Sequence, residues 1–303
     1  MSEYSEVEQP FLAQLAEQGW ITIDQGSGVP QDPTPSLRAS FRQWLLPEVF
    51  NESVRGINRT GDGNPWLTDS QLEDLQQQLL RQPNRTLLEA SEAVQALLFK
   101  AQVDVNEVTS ERDPVVRLID FHNPANNCFH AINQFRIDTP GCVKGFIIPD
   151  IVLFVNGIPL CVVECKKGSE TCANPMQEAF VQLQRYMRKR KDTELMGYRE
   201  GEPRLFHSCM MVVRTCGIEA DYGTISSGEE HFHSWKTLYP KDDNARDGMN
   251  AQQQLIAGML NRANMLQMLR TCSVFMDTDS GSRVRVVCRY PSVVLRRFLS
   301  RSI

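Results

Sequence analysis

Apolar residues follow two different spacings along this chain. From Leu37 to Phe99 the sequence is strongly polar and its apolar residues recur three or four apart, as on one face of a helix. Leu72, Leu75 and Leu79 mark one such helix, and Leu87, Leu88, Val94, Leu97 and Leu98 mark another. Thr68-Asp69-Ser70 supplies a cap for the first. The stretch from Gly56 to Pro65 is too polar to pack and reads as a loop. Residues 37–99 are therefore expected to form a helical elaboration on one side of a sheet. Ahead of it, Phe11, Leu12, Leu15 and Ala16 form the stripe of a helix over 5–19, which Gly19 can end. Pro10 belongs in its first turn, which puts Glu8 at or just before the start. Trp20 to Asp24 is a short strand, and 25–35, rich in Gly, Pro, Ser and Asp, is a loop.

Farther on, the spacing changes to short apolar runs with many β-branched residues, the mark of strands. Val115 to Phe121 is one, followed by a turn over 122–127, and residues 128–137 alternate as a half-exposed strand would. Ile147 to Lys166 consists of two apolar runs flanking Asn156-Gly157, a strong hairpin signal. Asn174, Pro175 and Gln177 suit the N-cap, first and third positions of a helix running to about Lys191. Strands are expected over Arg204–Thr215, 220–225 and 283–290, and a helix over Leu255–Leu269. The pattern is α/β: a mixed β-sheet flanked by helices. Residues 1–238 read as one domain and 239–303 as a connector to something further.

With 41% hydrophobic and 23% charged residues in 303, the composition is that of a globular chain with ample core. A net charge of −5 excludes a globally basic nucleic-acid coat, so any DNA contact must come from a local patch. No apolar run reaches the roughly 18 residues of a membrane-spanning helix, and the acidic start lacks the features of a signal peptide. Nine cysteines with no C-x-x-C suggest a reduced, cytoplasmic protein without structural zinc.

The hairpin carries the candidate chemistry. Asp150 opens its first strand, and Glu164 and Lys166 end its second, two residues apart and so on one face. Mg²⁺ prefers hard oxygen ligands and keeps several waters, so two carboxylates and a main-chain carbonyl suffice to hold it. Asp150, Glu164 and the carbonyl of Cys165 would be those ligands for phosphodiester hydrolysis, with Lys166 orienting or deprotonating the water and steadying the developing charge. The plainer alternative is that Asp150 caps a strand while Glu164 pairs with Lys166 at a sheet edge. A geometric condition separates the two. With a two-residue turn and unbroken pairing, Asp150 faces Val163 and points away from Glu164. Convergence therefore demands a longer turn or a bulge, expected near Ile148-Pro149, where proline already weakens the ladder.

The helix after the hairpin adds Gln182 and Tyr186, four apart and on one face. Arg185, Arg188, Lys189, Arg190 and Lys191 crowd its C-terminal end, either as a solvated terminus or as contacts to a phosphate backbone, with Arg185 and Lys189 the candidates. The chain contains no Walker A loop, no G-x-S-x-G and no HExxH.

Taken together, P-D-I-V-L-F-V-N-G-I-P-L-C-V-V-E-C-K-K followed by Q-L-Q-R-Y resembles the PD-(D/E)xK nuclease domain of type I restriction enzyme R subunits. Further pieces match in order: E-x-x-F-L-x-x-L-x-x-x-G-W at 8–20, V-R-L-I-D-F-H-N-P-x-N-N at 116–127, N-Q-F-R at 133–136, and E-A-D-Y-G-T-I with H-F-x-x-W-K at 219–236. The resemblance implies a restriction-endonuclease-like fold and Mg²⁺-dependent cleavage of double-stranded DNA by Asp150, Glu164 and Lys166. It also implies support from Gln182 and Tyr186, with Glu8 near the metal. It further implies methyltransferase and specificity subunits as partners. ATP would enter only through motor domains, before which this chain is expected to be truncated. Two other readings remain: a non-catalytic DNA-binding or assembly module docking on those subunits, and an autonomous RecB-like nuclease.

Overall fold

The computed structural model describes residues 2–83, 85–170, 172–190, 199–239 and 247–288. Seven strands form one mixed sheet and lie side by side in chain order: β1 (Ile21–Ile23), β2 (Phe129–Asn133), β3 (Ile151–Val155), β4 (Ile158–Cys165), β5 (Met211–Thr215), β6 (Ala220–Gly223) and β7 (His233–Ser234). β1 and β2 run parallel, as do β4 and β5; the other neighbours are antiparallel. Parallel neighbours need a crossover. The first crossover carries α2 (Pro47–Ile57), α3 (Asp69–Leu80) and α4 (Leu87–Lys100), and the second carries α5 (Pro175–Tyr186). The protein is thus α/β, a mixed sheet flanked by helices.

Every residue of β2, β3, β4 and β5 is buried, as expected of strands covered on both faces. The half-exposed reading of 128–137 is therefore corrected. His130 and Asn133 gave it the look of alternation, but both are buried. Asn133 reaches full satisfaction inside, accepting from the Gln25 amide (2.6 Å) and donating to Asp24 and the Gly26 carbonyl.

The helical elaboration forms as its spacing predicts. Thr68 with Gln71 and Thr86 with Glu89 close capping boxes at the starts of α3 and α4. α2, not separately marked by the sequence pattern, buries Phe50, Val54 and Ile57. Val115 to Phe121 pairs over only Val115–Val116, and Arg204–Thr215 divides into a 3₁₀ turn (Pro203–Phe206) and β5. The expected helix over 255–269 is broken: a π turn over Leu255–Met259 precedes α6 (Arg262–Cys272), capped by Asn261. Arg283–Val287 is a strand, as expected, paired antiparallel with Ser273–Asp277. Residues 240–246 of the connector and everything after Cys288 lie outside the described residues. α5 ends at Tyr186 instead of near Lys191, because Arg188 adopts a left-handed backbone (φ 57°) and the Tyr186 carbonyl accepts from the Glu202 amide.

The first helix also begins differently. A π-helical turn over Tyr4–Glu8 runs directly into α1 (Gln9–Glu17), whose second residue is Pro10. Glu8 is therefore inside the helical segment and not at its edge.

The hairpin turn is the two residues Asn156 and Gly157, both at positive φ (51° and 75°), as a type I′ turn requires. Val155 faces Ile158 and Phe154 faces Pro159, but Leu153 then faces Cys161 and Ile151 faces Val163. Leu160 is the extra residue of a bulge. The offset needed for convergence exists, but it lies in the middle of the hairpin beside Pro159 and not near Pro149. Pro159 has no N–H to give the ladder, which makes its neighbour the natural place for a slip.

The turn tip packs under α2. A Cβ on Gly157 would lie 2.5 Å from the Leu46 carbonyl oxygen and 2.8 Å from the Phe50 nitrogen. Gly157→Ala is expected to destabilise the fold by about 3 kcal/mol, combining backbone strain with a clash against main chain. Urea denaturation measures this; an unchanged midpoint would contradict the turn's packing.

Candidate active site

The bulge shifts the pairing so that Asp150, one residue beyond the Ile151–Val163 pair, comes opposite Glu164. Three elements fix the Ile148–Asp150 segment. Just past the end of β2, the Gln134 and Phe135 amides donate to the carbonyls of Asp150 (2.8 Å) and Pro149 (3.0 Å). From β4, the Cys165 amide donates to Asp150 Oδ2 (2.7 Å). From α5, Tyr186 Oη donates to the Ile148 carbonyl (2.7 Å) and accepts from Gln182 Nε2 (2.7 Å).

Lys166 is the centre of the cluster. Its Nζ donates to Glu164 Oε1 and to the Cys165 carbonyl, each at 2.7 Å, and lies 3.5 Å from Asp150 Oδ2 and 3.6 Å from Glu3 Oε1. Asp150, Glu164 and Lys166, with Gln182, Arg185, Tyr186, Lys144 and Glu200, line a cavity of about 220 Å³. Glu8 adjoins Asp150 from the other side, held by Gln134 Nε2 (2.9 Å).

Burial dominates the electrostatics. It raises Asp150 to about 6, against the pull of Lys166 and the Cys165 amide. Burial and then the charge of Asp150 raise Glu8 to about 7 and push Glu164 well above the usual carboxylate range. Burial alone would lower Lys166, but Glu164 and Asp150 outweigh it and hold the ammonium above its ordinary value. Lys166 is thus a cation here and not a free base.

The residues suit a hard divalent cation. Carboxylate and carbonyl oxygens already enclose one positive charge, the Lys166 ammonium. Glu164 Oε2 is buried with no hydrogen-bond partner, an oxygen lacking the cation or donor that burial ordinarily demands.

Of the residues singled out from sequence, Asp150, Glu164, Lys166, the Cys165 carbonyl, Glu8, Gln182, Tyr186 and Arg185 come together at this place. Lys189 does not. Its Nζ donates to the Ile225 carbonyl (2.6 Å), and it lines a separate recess with Arg188, Arg204 and His207. Two site residues were not anticipated. Gln134 orients both Glu8 and the Asp150 main chain from a left-handed backbone (φ 46°). Glu3 reaches Lys166 although ordinary helical periodicity gives no hint of it.

An α/β sheet with a hairpin that brings an aspartate beside a Glu-x-Lys strand end defines a restriction-endonuclease-like protein. Residues 1–231 match the type I restriction enzyme R protein N terminus family, and the chain belongs to that family. The chain is 26% identical over 292 residues to the HindI type I restriction enzyme endonuclease subunit of Haemophilus influenzae, a match covering 96% of this chain and 26% of that protein. It is 25% identical over 214 residues, 70% of the chain and 18% of the relative, to a candidate type I restriction enzyme endonuclease subunit, MjaIXP, of Methanocaldococcus jannaschii. The chain therefore spans about a quarter or less of the length of these relatives.

Raised carboxyl values have a sign for stability. A folded state that holds protons more tightly than the unfolded chain gains stability below the ordinary carboxylate range and loses it as pH rises through the folded values. For Asp150 and Glu8 those are about 6 and about 7. In EDTA the melting temperature is expected to fall between about pH 5 and about pH 8, and Glu8→Gln to flatten that fall. A slope the substitution leaves intact would contradict the assignment.

Proposed function

We propose that this chain is the endonuclease domain of a type I restriction system and hydrolyses phosphodiester bonds of double-stranded DNA with Mg²⁺. The observation that carries the reading is the convergence of Asp150, Glu164 and the Cys165 carbonyl on one positive charge beside a cavity. Family membership and relatives described as restriction endonuclease subunits support it. Mg²⁺ held by Asp150, Glu164 and the Cys165 carbonyl, with Glu8 beyond them, would polarise the phosphate and acidify a water molecule.

The chain's own residues supply the rest. Asp150 and Glu164 present oxygens fixed by the hairpin register, so little reorganisation accompanies the reaction. Lys166 keeps its proton at Nζ and sets a positive charge where the pentavalent phosphate accumulates negative charge. Arg185 flanks the cavity, its guanidinium 5.7 Å from the centre of the Tyr186 ring, and offers a contact to the DNA backbone. Gln182 and Tyr186 position the Ile148–Asp150 main chain. In this reading, methyltransferase and specificity subunits are the partners, and ATP acts through the motor part of R subunits.

In an assembled restriction complex, Glu164→Ala and Lys166→Ala are each expected to lower DNA cleavage by roughly 10²–10³-fold or more while ATP hydrolysis continues. Plasmid linearisation and phosphate release, measured side by side, test this. Cleavage that survives either substitution would refute the site.

A further inference from the structure

Glu3 has no role in the function argued so far, yet its carboxylate is held against the cluster. Oε2 accepts from the Lys167 amide at 2.9 Å, and Oε1 stands 3.6 Å from Lys166 Nζ. A ligand oxygen from each of Glu3, Glu8 and Asp150 lies within 4.8 Å of the others. The π turn explains how two acids five residues apart share one place. In an α-helix they would point roughly 140° apart around the axis. The i→i+5 bonding of Tyr4–Glu8 narrows that angle.

An independent observation points to a ligand. Glu164 is 1% exposed, its Oε1 shares Lys166 Nζ with Asp150, and its Oε2 has no partner. Glu3, Asp150 and Glu164 each bring a carboxylate oxygen within 3.6 Å of the Lys166 ammonium, and Glu8 stands beside Glu3 and Asp150; the neighbouring Lys167 ammonium is engaged by Glu6 at 2.7 Å. Carboxyl oxygens gathered this closely, three of the four groups buried, suit a hard cation.

We propose that Glu3 is a cation ligand. With Glu8 and Asp150 it forms a three-carboxylate cradle for a divalent metal, adjoining the Asp150, Glu164 and Cys165 oxygens. The assignment rests on the metal-dependent reading above and extends it to an acid on the first helical turn. The Lys167 amide pre-positions the carboxylate, so its order does not depend on metal.

Mn²⁺ alone is the probe, titrated into chain 1–303 and followed by electron paramagnetic resonance. Glu3→Gln keeps an oxygen for the Lys167 amide and removes only the charge. It is expected to weaken Mn²⁺ binding by about tenfold and to shrink the Mn²⁺-induced rise in melting temperature. Without metal it should melt at or above the wild-type temperature, since a like-charge contact is relieved. Glu6→Gln should bind Mn²⁺ like wild type, and Glu164→Gln should lose binding. If Glu3 only serves as counter-ion to Lys166, Glu3→Gln will melt lower without metal and keep wild-type affinity, which overturns the proposal. Wild-type protein that takes up no Mn²⁺, or Glu164→Gln that binds normally, overturns the metal reading and this proposal with it. Loss of binding in Glu164→Gln with none in Glu3→Gln overturns the Glu3 assignment alone.

Discussion

Side chains alternate along a strand, so a one-residue slip in pairing exchanges one face of a sheet for the other. Leu160 supplies that slip. Without it Asp150 would face Val163 and leave the sheet on the side away from Glu164; with it, the two acids stand opposite each other. The slip lies well inside the core, where β3 and β4 are buried at every position, and so cannot drift without moving the whole packing arrangement. Parallel pairing with β5 fixes the far end: Glu164 faces Arg214, and the Lys166 amide donates to the Thr215 carbonyl. The geometry of the site is thus a property of sheet register and not of a flexible loop.

That register concentrates acids where water is scarce. A buried ion pair gains little net stability, because desolvating the partners costs about as much as their attraction returns. Burial is the main reason that Asp150 and Glu8 hold protons well above their ordinary range, and Lys166 only partly offsets it at Asp150. A fold built for stability alone would not retain this arrangement when apolar side chains of similar size fit a sheet core equally well. The arrangement is intelligible as a place for the cation proposed above.

Much of this was legible in the residues. Asn156-Gly157 between β-branched runs specifies its hairpin through two positive φ values that few other residue pairs tolerate. Thr68 and Asn174 cap the helices that their spacing suggests. The misses have physical causes. Periodicity cannot place a bulge, because a bulge is where periodicity stops; of the two prolines, Pro159 marks the slip and Pro149 does not. Glu3 stayed hidden because α-helical spacing sends it away from Glu8, and only a π turn reverses that. Lys189 looked like a backbone contact because a charge run on a helix end says nothing about where the chain turns. A left-handed Arg188 redirects it to the Ile225 carbonyl.

The pair Gln182 and Tyr186 shows how a motif can act through main chain. Tyr186 is 2% exposed, and its hydroxyl is spent on the Ile148 carbonyl while Gln182 donates to it. A phenol so engaged has little left with which to read a ligand. What it does instead is tie α5, the crossover helix between β4 and β5, to the residue two before Asp150. The four-residue spacing lets one side chain hold the other in place. The helix that completes the parallel crossover therefore also sets the height of the aspartate in the cavity, so that fold topology and site geometry are the same constraint seen from two ends.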